Sequence, residues 1–256
     1  MPLGKGELTT TATSLHILEL IVDHGWVTLR GLVEETGLAK STVHKHLSTL
    51  RANDYIVKEG ERYTLGLYFL TVGKRAVEFR ESYQLVEQKV RELGSRTDAE
   101  VDFTVEENGR LILMFEAAGA TNESTFGTGT EFFLHNTAAG KAILATYADS
   151  KRDEILDTQG LPATTNKTIQ SREALHAELE QVRENGYALN DGECVEGYRT
   201  VSSVIKRPNG SALGAISAGG PAYRIDQSRL KNELADHVRS ATAEVTESLV
   251  EAQSTL

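Results

Sequence analysis

The sequence predicts an α+β chain in two parts, a winged helix-turn-helix at the N-terminus and an α/β layer domain after it, joined by a helical connector. Three observations carry this. Short helix-periodic stripes crowd residues 13–53, two alternating segments joined through Gly60 follow them, and beyond residue 97 strand-like and helix-like stretches interleave.

From Thr13 to His24 the residues Leu15, Leu18, Ile21 and Val22 recur at helical spacing, and Gly25 stands where that helix would stop. Thr28 can cap a second helix, whose Leu29, Leu32 and Val33 share a face while Glu34 and Glu35 turn away; Gly37 ends it. After the turn at Gly37-Leu38 a third helix runs from about Lys40 to Asn53, with Val43, Leu47 and Leu50 as its buried stripe. Tyr55-Ile-Val-Lys58 and Arg62-Tyr-Thr-Leu65, joined by Glu59-Gly60-Glu61, read as a hairpin. Three short helices and then a hairpin is the order of a winged helix-turn-helix.

Tyr68 to about Arg96 is helix-compatible, with Leu70, Ala76, Phe79, Leu85, Val86, Val90 and Leu93 on one side, which suits a connector and also a dimer contact. Glu100–Glu106 and Leu111–Glu116 then read as strands around the turn Glu107-Asn-Gly-Arg110. Helices are expected at Thr137–Tyr147, Ser171–Asn185 and Asp226–Glu251, and strands at Val201–Lys206 and Ala212–Ala218 around Pro208-Asn-Gly210. The division is therefore 1–67 for the winged helix-turn-helix, 68–96 for a linker helix and 97–256 for the α/β domain.

Composition narrows the function. The 256 residues carry 27 Lys+Arg against 37 Asp+Glu, a formal net charge of −10. No apolar run approaches the roughly 18 residues of a bilayer helix, so no membrane partner is expected. The stretch Met1-Pro-Leu-Gly-Lys-Gly-Glu7 lacks the apolar core of a secretory signal and reads as cytoplasmic. Cys194 stands alone, which excludes an internal disulfide framework or a multi-cysteine metal site.

The acidity argues at first against nucleic acid, but it is unevenly spread. Residues 1–80 hold ten basic and nine acidic side chains, a net +1, which leaves −11 for the rest. Four of the seven histidines, His16, His24, His44 and His46, lie in the same segment. An acidic second domain repels phosphate and leaves the N-terminal helices as the place where DNA is met, with weak non-specific binding. A surface this rich in carboxylates also fits a high-salt cytoplasm, where repulsion is screened.

The third helix carries the recognition chemistry. With its stripe inward, Lys40, Ser41, Thr42, His44, Lys45, Ser48 and, near the edge, His46 face outward, and no carboxylate occurs from Lys40 to Ala52. Hydroxyls and ammonium groups suit phosphates, and donors suit base edges in the major groove. Arg62 on the hairpin can reach an adjacent backbone, although Glu59 and Glu61 flank it.

Enzyme readings fail. Before Gly140-Lys141 the P-loop glycine is replaced by His135, and Ala142 stands for the Ser/Thr. Gly127-Thr-Gly129 is followed by Phe132 where a dinucleotide fingerprint needs glycine. Nothing brings Cys194 to His135 or His176, and His44 and His46, two apart on a helix, diverge too far to share a metal. No catalytic residue, metal or cofactor is expected.

The run Leu32-Val-Glu-Glu-Thr-Gly-Leu-Ala-Lys-Ser-Thr-Val-His-Lys-His-Leu-Ser-Thr-Leu50 with Tyr63-Thr-Leu-Gly66 resembles the DNA-binding domain of the IclR family of transcriptional regulators. The resemblance continues through Leu134-His-Asn-Thr-Ala-Ala-Gly-Lys-Ala-Ile-Leu144, Gly186-Tyr-Ala-Leu-Asn-Asp-Gly-Glu193 and Ala212-Leu-Gly-Ala-Ile-Ser-Ala-Gly-Gly-Pro221, and so covers nearly the whole chain. It implies a GAF-like topology for the α/β domain and a small pocket there for organic, sugar-derived or aromatic acids. The positions that match the family's pocket are Phe132, Ala138, Ala139, Asn190, Asp191, Thr200, Ser217 and Gly219. Thr200 and Gly219 stand where some members have cysteine and serine, and Lys45 where the recognition helix usually has arginine. Backbone N–H groups opening the Thr137–Tyr147 helix would favour an anion, Thr200 and Ser217 offer hydroxyls, and Asn190 and Asp191 could hold the ligand's own hydroxyls.

The expected partners are a double-stranded DNA operator and a small-molecule effector, with the chain acting as a homodimer or homotetramer that governs a catabolic operon. The rival reading is a ligand sensor or enzyme whose helix-turn-helix serves protein contacts only.

Overall fold

The computed structural model describes residues 6, 8–119 and 124–254. Of the N-terminal stretch read above, only Gly6 lies among them. The chain forms two compact units, Met1–Arg80 and Glu81–Leu256.

The first unit runs α1 (Thr9–His24), β1 (Val27–Thr28), α2 (Leu29–Thr36), α3 (Lys40–Ala52), β2 (Ile56–Glu59), β3 (Arg62–Leu65) and α4 (Tyr68–Glu78). The hairpin β2–β3 gains β1 on its other edge, making a three-stranded antiparallel sheet in the order β1-β3-β2. Thr28 caps α2 as expected, its hydroxyl accepting from the Gly31 N–H at 3.1 Å. Gly37 takes up the left-handed conformation that ends α2 and turns the chain into α3, φ 67°, a geometry other residues adopt only with strain.

Val43, Leu47 and Leu50 of α3 are buried with Leu32, Ile56 and Tyr63 in one core, as their spacing predicts. On α1 the buried pair is Ile17 and Ile21, whereas Leu15 and Val22 are 55% and 62% exposed. At about 100° per residue those two lie roughly 200° and 140° around the helix from Ile17, on the side away from α3. Two helical stripes were available in α1, and the i, i+4 pair is the one that meets α3.

The connector is two helices where one was expected. It breaks at Phe79-Arg80, after which α5 spans Glu81–Thr97. Tyr68 and Phe69 of α4 set their rings edge-on against Tyr55 of the first unit, at 5.4 and 5.2 Å. In α5, Tyr83, Val86, Val90, Leu93, Gly94 and Thr97 are buried in the second unit. Helix α5 thus belongs to the core that buries it, α4 leans on the first unit through its rings without a buried residue, and the unit boundary falls at Arg80/Glu81.

The second unit is built on six antiparallel strands, β4 (Glu100–Glu107), β5 (Arg110–Ala117), β6 (Glu131–Phe133), β7 (Ala188–Asp191), β8 (Tyr198–Lys206) and β9 (Ala212–Pro221). Their order in the sheet is β6-β5-β4-β9-β8-β7. Asn108 and Gly109, both at positive φ, make the tight turn between β4 and β5. Between Phe103 and Thr104 the β4–β5 register shifts by one residue, a bulge beside the pocket described below.

Helices cover both faces of this sheet. The C-terminal helix opens at α9 (Gln227–Arg229), widens into a π-helical stretch at Leu230–Leu234 and continues as α10 (Ala235–Ser254). It shares one face with α5, where Tyr83 packs edge-on against Phe103 at 5.7 Å. The other face receives α6 (Ala138–Leu144), α7 (Asp149–Gln159) and α8 (Arg172–Asn185), whose Ile143, Leu144, Ile155, Leu175 and Leu179 form a core with Leu111 and Ala215 of the sheet. Because strand side chains alternate, Phe103 faces α5, and Asp102 and Thr104 face α6. Helix α6 is shorter than the expected Thr137–Tyr147, and every residue of it is buried. Gly140 lets it press onto the preceding segment, since a Cβ there would sit 2.2 Å from the Leu134 carbonyl oxygen.

Candidate nucleic-acid interface and ligand pocket

On α3, Lys40, Ser41, His44, Lys45 and Ser48 are exposed and Thr42 is half-buried. Ser48 Oγ lies 3.5 Å from His44 Nδ1, one turn apart on the same side. Thr49 turns inward on the helix and donates to the Lys45 carbonyl at 3.0 Å. Arg51, which periodicity did not single out, adds an exposed cation in the last turn. The outer face therefore carries hydroxyls, the His44 imidazole and cations, and the first turn carries no acidic residue.

His46 is the exception among the residues expected to face outward. It is buried, and its Nδ1 lies 2.8 Å from Ser14 Oγ on α1. Three residues after Val43 and next to Leu47, it stands on the flank of the buried stripe, and α1 closes over it. Its ring ties the two helices together and is not available to DNA.

Arg62 is exposed on β3, and its guanidinium lies 4.1 Å over the Trp26 ring. The pairing of Thr28 with Arg62 across β1 and β3 brings the two together. Such a cation–π contact restrains the long side chain while leaving its donors outward. The flanking Glu61 is engaged in part by Lys58, 3.9 Å away. Trp26 itself was missed by sequence reasoning, since a lone aromatic before a two-residue strand carries no periodic signal.

The second unit holds a small pocket, about 50 Å³ and open to solvent at its mouth, between the sheet and the start of α6. Phe132, Ala138, Ala139, Asn190, Thr200 and Ser217, six of the eight residues expected of a pocket, line it together. Asp191 and Gly219 are not in the lining. The Asp191 carboxylate turns to Arg199 at 2.6 Å and to the Gln227 amide at 2.9 Å, and the Arg199 hydrogen bond holds it below the usual aspartate range. Gly219 serves close strand packing, since a Cβ there would meet the Arg199 carbonyl oxygen at 2.1 Å.

Asn190 lines the pocket, but its amide is committed to backbone. Its Nδ2 donates to the Asn136 carbonyl at 2.8 Å, and its Oδ1 accepts from the Gly192 and Glu193 N–H groups at 3.0 Å each. It organises the loop after β7 more than it offers itself to a ligand. Beneath the pocket Lys141, wholly buried, donates to Glu193 at 2.7 and 2.9 Å and to Glu178 at 2.8 Å.

Sequence reasoning missed Asp102, Thr104, Phe126, Cys194 and Tyr198, all of which line the pocket. Asp102 lies on β4 across from Ser217 of β9, and the polar Ser217 hydroxyl, which donates to Ser202 Oγ at 3.3 Å, favours its charged form. Burial above all, and then the carboxyls of Glu100 and Glu116, push the Asp102 acid up to about 7. Burial likewise pushes the Cys194 thiol up to about 11, away from nucleophilic duty. Phe126 sets its ring edge-on to Phe132 at 5.1 Å and to Tyr198 at 5.6 Å, forming an aromatic wall. His135 is on the far side of α6's first turn, with its Nε2 3.2 Å from the Pro162 carbonyl oxygen, and burial lowers its pKa.

Among the described residues no cluster of three or more His, Cys, Asp or Glu could hold a metal ion. No helix among them is long and apolar enough to cross a membrane.

Known proteins agree with this geometry. Residues 12–60 match the IclR helix-turn-helix domain, and residues 76–247 match the bacterial transcriptional regulator IclR C-terminal family. The chain is 28% identical to the probable HTH-type transcriptional regulator ArcR of Halobacterium salinarum, over 89% of this chain and 88% of that one. It is also 28% identical to the acetate operon repressor of Salmonella typhimurium, over 94% of this chain and 90% of that protein. The structure of a transcriptional regulator from Rhodococcus has the same fold at a TM-score of 0.82, with 19% identity and 96% of this chain and 100% of that chain covered. With a helix-turn-helix and an α/β domain that both match along their length, the chain belongs to the IclR family of bacterial transcriptional regulators.

Proposed function

We propose that this regulator binds its operator through the outer face of α3 and releases or engages it in response to a small organic effector held in the second unit's pocket. The observation that carries the first half is a helix face of hydroxyls, imidazole and ammonium groups with no carboxylate in its first turn. A face of that chemistry suits phosphate oxygens and base edges, with Ser41, Thr42 and Ser48 positioning and His44 and Lys45 reading. Arg62, held over Trp26, adds a backbone contact from the wing.

The second half rests on a pocket lined by hydroxyls and aromatic rings, with a few convergent polar groups. Effector control requires that the ligand favour one of two arrangements of the chain, since equal affinity for both shifts nothing. The relative's name, acetate operon repressor, supports a catabolic operon as the target. Self-association as a homodimer or homotetramer is supported by apolar side chains left open on the first unit, Leu15 and Val22 of α1 and Leu70 and Phe79 along and after α4.

The test is a titration of the protein–operator complex with compounds first found to raise the protein's melting temperature. A compound that does both ties pocket to operator; compounds that stabilise the protein and leave every operator affinity unchanged would reject effector control.

A further inference from the structure

We propose that Asp102 sets the class of effector: the pocket takes a small ligand that presents hydroxyl or ammonium donors to this carboxylate, and excludes ligands that present a carboxylate there. This rests on the pocket being the effector site.

The charge inventory of the pocket is one-sided. Among the described residues no lysine, arginine or histidine lines it. The nearest cation in the fold, Lys141, is buried and already engaged by Glu178 and Glu193. Three carboxyls converge instead. Asp102 lies in the lining, Glu116 stands opposite it across the β4–β5 pair, and Glu100 is two residues along the same strand. Glu100 is occupied by the Tyr198 hydroxyl at 2.9 Å and by Thr125, whose N–H and hydroxyl donate at 2.7 and 3.0 Å. Asp102 is approached only by the Ser217 hydroxyl, which itself donates to Ser202 Oγ. A carboxylate accepts through two oxygens, so this leaves it acceptor capacity on the cavity side.

An unpartnered hydroxyl lies beside it. Thr104 lines the same pocket, and its Oγ1 is buried with no hydrogen-bond partner. Buried polar groups of this kind are normally satisfied, and a ligand carrying hydroxyl or ammonium groups satisfies both at once. The wall of Phe126, Phe132 and Tyr198 supplies the apolar contact that such a ligand needs on its other side, and its ring faces favour a cation as well as a carbon skeleton.

The sign of the pH dependence separates the two ligand classes. The titratable groups facing Asp102 are Glu100, Glu116 and Tyr198, with Cys194 further along the lining; the two glutamates disfavour a second negative charge, and burial keeps the phenol and the thiol neutral. With the Asp102 acid near 7, a donor ligand binds more tightly as the carboxylate forms. A ligand carboxylate would bind more tightly as it is lost.

The experiment uses the full chain and matched compounds differing in one group: benzylamine and benzyl alcohol against benzoate, and ethanolamine and ethylene glycol against glycolate. Melting shifts are measured at about pH 6 and about pH 8 for the native protein and for Asp102→Asn. The expected result is that an amine or alcohol of at least one set stabilises the native protein, that its apparent affinity rises severalfold between about pH 6 and about pH 8, and that Asp102→Asn weakens it about tenfold or more. The amine and alcohol arms distinguish an ammonium ligand from a neutral hydroxylated one. The carboxylates should be the weakest members at the higher pH and gain in Asp102→Asn. Carboxylates that bind best at the higher pH, or donors unaffected by Asp102→Asn and by pH, would overturn the assignment. Silence from all six compounds would count against the pocket as an effector site, and so against the reading beneath the proposal.

Discussion

Lys141, wholly buried, pairs with the half-buried Glu193, its ammonium 2.7 and 2.9 Å from the two carboxylate oxygens, and this pair fastens α6 to the loop after β7. A lysine following a glycine at the head of a helix invites a phosphate-binding reading. The structure gives it another task, since no donor of this ammonium is left to face the pocket. Removing one partner of a fully buried pair costs about 3–5 kcal/mol, and the partial exposure of Glu178 and Glu193 puts this network at the lower end of that range. Lys141→Ala should lower stability by about that much in urea unfolding, and replacing Lys141, Glu178 and Glu193 together by apolar residues should cost less than the single change.

The outer face of α3 makes a prediction of its own. His44→Ala with Lys45→Ala should weaken specific operator binding by roughly 2–5 kcal/mol in a gel-shift titration, with the melting temperature nearly unchanged because both side chains are exposed. Unchanged operator affinity would remove α3 from the interface.

His46 should behave in the opposite way. His46→Ala deletes a buried ring and strands the Ser14 hydroxyl, so it should cost roughly 1–3 kcal/mol of stability. Operator affinity, measured where the variant is folded, should change far less than in the double variant.

Asp102 predicts a pH dependence of stability. Its folded value of about 7 lies above the roughly 3.9 of an unfolded aspartate. An acid raised on folding favours the native state while both forms are protonated, and that advantage is lost as pH rises through the folded value. Stability should therefore fall between about pH 4 and about pH 7 and level off above, and Asp102→Asn should be more stable than the native protein at about pH 8 by roughly 2–4 kcal/mol, with the difference vanishing near about pH 4. A native protein that gains stability over that interval would contradict the buried carboxyl.

Much of this was legible in the sequence where one periodicity dominates. In α3 the stripe Val43, Leu47 and Leu50 admits a single inward face, so the outward set followed, and only His46 on its flank was misplaced. In α1 two apolar stripes compete, and spacing alone does not say which meets α3. Helix α7 went unrecognised because Asp149–Gln159 is almost wholly polar and anchors itself by Ile155 and Leu156 with the alkyl stem of Arg152. The break between α4 and α5 has no proline or glycine to mark it at Phe79-Arg80. Asp102 was hidden for a different reason. In Glu100-Val-Asp-Phe-Thr-Val-Glu106 the polar residues alternate as they would on a strand with a wet face, and only the arrival of α6, far along the chain, turns that face into a pocket.

Recognition of a particular DNA sequence through α3 is what every other proposed property of this chain depends on. Its most direct test is a gel-shift titration against the DNA upstream of its own gene, beside a scrambled duplex of equal length and composition, with the His44→Ala, Lys45→Ala variant run in parallel. The expected result is a saturable complex at least about a thousandfold tighter on the upstream DNA than on the scrambled duplex, and loss of that preference in the variant. Equal affinity for both duplexes, or a preference that survives in the variant, would contradict it.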